Sequence, residues 1–154
     1  MFRHATPLAI LMAALAAQDP APREETPPKR ARYVVVVSKA NPIHLPAAEL
    51  RATVKKLYLK TLTQWPGGVP ARPYARDATS PAQLAFEREV LGMTDAELAR
   101  HWLRLKNMQG TTPPRRVSSD RLALKHITRA DGAFTILAAD EAEKAEDVRI
   151  LFDF

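Results

Sequence analysis

The sequence predicts an α/β domain, a mixed sheet flanked by helices, and three observations predict it. Tyr33 to Val37 (YVVVV) is an unbroken apolar, β-branched run, the signature of a strand covered on both faces. Downstream, segments with apolar residues at helical spacing alternate with further strand-like runs. Hydrophobic residues make up 46% of the 154 and cysteine is absent, so one core without disulfides has to hold the chain.

Each element has its own signal. After the first strand SKANPIHLP reads as a loop, and Pro46 to Leu59 places Leu50, Val54, Leu57 and Tyr58 on one helical face, with Pro46 tolerated in the first turn. QWPGGVP turns around Trp65, and Val69 to Tyr74 reads as a short strand pushed toward a sheet edge by Pro70 and Pro73. Ser80 is an N-cap, Pro81 fits the first helical position, and Gln83 stands where a capping box needs its partner. Leu84, Phe86, Val90 and Leu91 give that helix its apolar face, and Gly92 stops it. Thr94 and Glu97 form a second capping box for a helix through Leu98, Trp102 and Leu105 that fades near Gly110. GTTPPRRVSS is a loop, and Ser119 caps a helix carrying Leu122, Leu124 and Ile127 to Thr128. Asp131-Gly132 turns into a buried strand, Ala133 to Ala138; an acidic helix or turn, Asp140 to Glu146, precedes a closing strand, Val148 to Phe152.

Before this body the sequence is of a different kind. Residues 1–16 combine a basic start (Arg3, His4), an apolar run from Ala5 and an Ala14-Leu15-Ala16 cleavage pattern, so they read as a signal peptide, and the run is too short to span a bilayer. Residues 17–32 mix prolines with charges of both signs and have little apolar content to repay ordering, so they read as a linker or disordered arm before the domain at 33–154. The expected location is the periplasm or the exterior, with no membrane insertion after cleavage. The formal charge of +6 is spread among acids with no aromatic-rich basic stripe, which argues against nucleic acid as a partner.

Catalytic chemistry finds no constellation. His4, His44, His101 and His126 do not pair at metal-ligand spacing, and neither a nucleophile elbow nor a phosphate-binding Walker loop is present. Glu87 and Glu89 point to different sides of a helix, and Ser118-Ser119-Asp120 most simply caps one. No enzyme, metal or cofactor is expected. The stretch that suits a ligand is YARDATSPAQ: an arginine, Arg76, followed by a serine-capped helix start whose backbone N–H groups and positive dipole end favour an anion. Pro81 removes one of those donors.

In order, SKANPIHLPAAELRATVKKLYLKTLTQWPGG, ARDATSPAQLAFEREVLGMTDAELARHW, QGTTPPRRVSSD and ITRADGAFTILAAD resemble the short relatives of the phosphate-binding proteins of ABC transporters, in the periplasmic-binding-protein superfamily. The resemblance runs from about Tyr33 to Phe152 and rests on Trp65, Arg76, Ser80, Phe86, Trp102, the Gly110 to Pro114 loop and Gly132-Ala133. The chain departs at Ser80-Pro81-Ala82, where the family has serine-glycine-threonine, and at Thr135-Ile136, where it has glycine-tyrosine. The resemblance implies a single periplasmic-binding-protein-like lobe. It implies reversible capture of inorganic phosphate or a similar oxyanion by Arg76, Ser80 and the Ala82 backbone, with Ser38, Asn41 and Arg115 as accessory positions, in the service of a membrane transporter. The alternative is a ligand-free interaction module, derived from such a lobe, that docks on an envelope protein.

Overall fold

A computed structural model describes residues 31–154. The expected signal peptide and all but the last two residues of the expected arm lie outside the described residues. The elements are β1 (Tyr33–Ser38), α1 (Ala47–Tyr58), β2 (Arg72–Arg76), α2 (Pro81–Phe86) continuing as a π-helical segment (Glu87–Leu91), α3 (Asp95–Gln109), β3 (Arg115–Val117), α4 (Asp120–Thr128), β4 (Ala133–Ala138), α5 (Ala139–Lys144) and β5 (Val148–Asp153). They build one five-stranded mixed sheet in the order β3-β2-β4-β1-β5. β1 is antiparallel to both neighbours, β4 and β5, while β2 is parallel to β3 and β4.

The valine run of β1 is buried because helices cover both faces of the sheet and strand alternation feeds each face in turn. Val35 and Val37 join Phe134 and Ile136 of β4 in a core with Leu50, Val54 and Leu57 of α1 and Phe86 of α2. Val34 and Val36 join Leu137 in a second core with Ala123 and Ile127 of α4 and Ala139 and Ala142 of α5. Each fully buried valine contributes about 1.5–3 kcal/mol of gross hydrophobic stabilisation.

Differences from the expected elements have local causes. β2 starts at Arg72 rather than Val69, because the preceding residues close a turn: Trp65 N donates to Val69 O (2.8 Å), Ala71 N donates to Thr63 O (2.9 Å), and Gln64 bridges Pro70. That turn fixes the Trp65 indole on β4, where Nε1 donates to Gly132 O at 3.0 Å and the ring meets Phe134 edge-on at 5.4 Å. Gly132 is needed there, since a Cβ would lie 1.8 Å from Pro70 O. β3 emerges from the expected GTTPPRRVSS loop as a three-residue strand beside β2. Arg32, the last residue of the expected arm, is held to the body, its O accepting from Ala139 N at 2.9 Å and its Nη2 meeting Glu143 Oε1 at 3.3 Å.

Candidate functional site

The C-terminal end of β2 delivers Arg76 to the head of α2, as the sequence pattern implies, but its surroundings differ from an open anion cradle. Arg76 is 8% exposed. Strand alternation sends Ala75 into the α1-side core and the Arg76 side chain toward α4. There its Nη2 lies 2.6 Å from Asp120 Oδ1, with side-chain exposures of 9% and 42%, and Nη1 donates to Ile136 O at 3.4 Å. Its Nε–H is buried and has no acceptor among the described residues. Asp120 is the first residue of α4, just after Ser119, whose Oγ accepts from Leu122 N at 3.2 Å. The expected Ser119 cap is therefore present, and the adjacent acid has a second task as the Arg76 counterion.

The head of α2 is built differently from a capping box. Ser80 makes no side-chain cap bond, its N–H donating to Asp77 O at 2.9 Å. Gln83, 1% exposed, turns inward: Oε1 accepts from Arg76 N (2.8 Å), while Nε2 donates to Tyr58 Oη (2.9 Å) and Glu87 Oε1 (2.8 Å). The buried strand N–H of Arg76 has a stronger need for an acceptor than the cap does. The Ser80 hydroxyl is left outside the cap, and Ala82 is buried in the second helical position.

Ser38 and Asn41 do not join Arg76. Because β1 is antiparallel to β4 and β2 is parallel to it, the end of β1 and the end of β2 lie at opposite ends of the sheet. Asn41 Nδ2 donates to Asp131 O (2.7 Å) before β4, whereas Arg76 reaches Ile136 O within it. Those two points on β4 are roughly 16 Å apart at a rise of about 3.3 Å per residue. Both side chains have structural partners: Ser38 Oγ accepts from Ala40 N (3.1 Å) and Asn41 Oδ1 from Ile43 N (2.9 Å). Arg115 lies exposed on β3, and it is the next residue, Arg116, that reaches the end of β2, donating from Nη1 to Arg76 O at 3.3 Å.

Arg116 also lines a cavity of about 230 Å³ on the α1 side of the sheet, with Tyr58, Glu87, Asp95 and Trp102. No short motif announces this cavity, because its walls come from five separate segments of the chain. Burial pushes the Tyr58 hydroxyl well above the ordinary tyrosine value; the Gln83 hydrogen bond opposes the shift, the Glu87 carboxylate adds to it and the Arg116 guanidinium opposes it. Among the described residues no group of three or more His, Cys, Asp or Glu is placed to hold a metal ion, and no helix is long and apolar enough to cross a membrane.

No protein-family model and no curated protein sequence matches the chain. Solved structures do. An ABC-type phosphate transport receptor from Vibrio cholerae is similar over 78% of this chain and 46% of its own, with 19% identity and a TM-score of 0.57. A Clostridium perfringens chain solved with bound phosphate and described as a phosphate ABC transporter substrate-binding protein gives 78% and 44%, with 17% identity and a TM-score of 0.55. PstS from Borrelia burgdorferi gives 73% and 43%, with 11% identity and a TM-score of 0.51. These neighbours are transport binding proteins rather than enzymes, and the chain spans less than half of their length. In fold, the chain is thus similar to a little under half of a phosphate ABC transporter substrate-binding protein, the span expected of a short single-lobe relative.

Proposed function

We propose that the chain is an exported, non-enzymatic binding-protein lobe that reversibly captures an oxyanion of phosphate type for a transporter of the envelope. Arg76 supplies the charge, Ser80 a hydroxyl and Ala82 a backbone N–H. The observation that carries this reading is the Arg76 Nε–H, a buried guanidinium donor without an acceptor among the described residues, on the residue that closes β2 shortly before α2. An unsatisfied buried donor costs about 1–3 kcal/mol, and an oxyanion oxygen would satisfy it with a charge-assisted bond. The Ser80 hydroxyl, unused by the cap, supports the same reading. Capture involves no covalent step, and Asp120 is the built-in competitor, because it already holds Nη2. Affinity is correspondingly weak until that carboxylate turns toward solvent or a partner covers the open side.

The test is isothermal titration of phosphate and sulfate into wild type, Arg76→Ala and Asp120→Asn. Wild type gives weak heat, Arg76→Ala none, and Asp120→Asn binds more tightly because the competing carboxylate is gone. Absence of heat in all three removes the reading.

Two observations favour a second reading, a ligand-free module that docks on an envelope protein. The Arg76–Asp120 pair neutralises the buried Arg76 charge, and Pro81 lacks the N–H that would lie nearest an anion. Under that reading Asp120→Asn loses stability and phosphate returns none of it.

A further inference from the structure

We propose that the cavity between β2, α2 and α3 is a separate site for a small zwitterion, an α-amino acid with an apolar side chain. It is lined by charges of both signs that the protein leaves uncombined. Glu87 and Asp95 form no ion pair among the described residues, and Arg116 contacts only the neutral carbonyl of Arg76. Glu87 Oε1 accepts from Gln83, which leaves Oε2 for a ligand. Tyr58, 3% exposed, accepts from Gln83 through its hydroxyl oxygen, and the hydroxyl proton has no acceptor among the described residues. Glu87, Arg116 and Tyr58 line the same cavity.

This arrangement selects among ligands. An inorganic oxyanion meets Arg116 but also the carboxylates of Glu87 and Asp95, and a simple amine meets the carboxylates but makes no use of Arg116, which stays exposed to water on β3. An α-amino acid satisfies both ends. Its ammonium group lies between Glu87 and Asp95, and its carboxylate takes the Arg116 fork and the Tyr58 O–H. Its side chain packs on Trp102, Leu84 and Pro114, which give the cavity its apolar character. A volume of about 230 Å³ holds a molecule of this size and little more. Ala75 lines the cavity while Arg76 points to the other face of the sheet, so the site stands whether or not Arg76 binds an oxyanion.

Tryptophan fluorescence provides the test on the full chain, because Trp102 is half-buried at the cavity whereas Trp65 is 2% exposed in the core. Titration with leucine, leucine amide and N-acetylleucine gives a saturable change for leucine in the millimolar range or tighter, and at least about tenfold weaker binding for the two analogues that lack one charge. Phosphate does not compete. Arg116→Gln abolishes discrimination between leucine and its amide, and Asp95→Asn reduces discrimination between leucine and N-acetylleucine. No response to leucine at roughly 50 mM, or equal binding of all three compounds, overturns the proposal.

Discussion

Replacing Asp120 by Asn tests the ion pair that sits at the centre of the candidate site. The perturbation keeps the side-chain shape and the α4 start but removes the charge facing Arg76 at 2.6 Å. For charge centres about 4 Å apart, an effective dielectric of about 20 gives roughly 4 kcal/mol of attraction. Asp120 is 42% exposed, so water and salt screen about half of that. Losing a carboxylate in the first turn of α4 adds about 0.3–1 kcal/mol through the helix dipole. The net expectation is a loss of roughly 2–3 kcal/mol, about 10 °C in Tm for a domain of this size. Thermal and urea unfolding followed by circular dichroism read it directly. The oxyanion reading adds a second outcome: phosphate raises the Tm of the variant more than that of wild type, since a ligand that binds the native state stabilises it by mass action. A loss below about 0.5 kcal/mol, the range of an ordinary surface substitution, would refute the reasoning about the pair.

Other consequences follow from the same contacts. Gln83→Leu leaves the buried Arg76 N–H and the Tyr58 hydroxyl without their partner and lowers stability by about 2–4 kcal/mol in urea unfolding. Gly132→Ala forces the turn at Pro70 away from β4, costs about 1–3 kcal/mol or more, and exposes Trp65, seen as a red shift of its emission. The Tyr58 hydroxyl is raised by burial above its unfolded value of 10.0, so the unfolded chain loses that proton first. Stability therefore declines as pH rises through 10, and Tyr58→Phe reduces this alkaline slope in unfolding experiments.

Much of the fold was legible because it is written in local patterns. The valine run of β1, the 50-54-57-58 face of α1, the Thr94–Glu97 capping box and the Gly92 and Gly110 stops each follow from residues within one turn or strand. β3 was not legible, since a three-residue strand after two prolines has no period to read and exists only because β2 is beside it. The site divides along the same line. Arg76 and Ser80 were found where the pattern put them, at the joint between β2 and α2. Their partners were not, because Asp120 and Gln83 are claimed by tertiary neighbours: one looks like a helix-start acid and the other like a capping-box member, and each bonds instead to Arg76. The separation of Ser38 and Asn41 from Arg76 is a consequence of the antiparallel placement of β1, which no short motif encodes.

The most direct measurement is calorimetric titration of phosphate into Asp120→Asn beside Arg76→Ala. Saturable heat in the first and none in the second is the outcome predicted for an oxyanion site at the head of α2. Matching flat traces from both proteins would contradict it and leave the Arg76–Asp120 pair as a purely structural clasp.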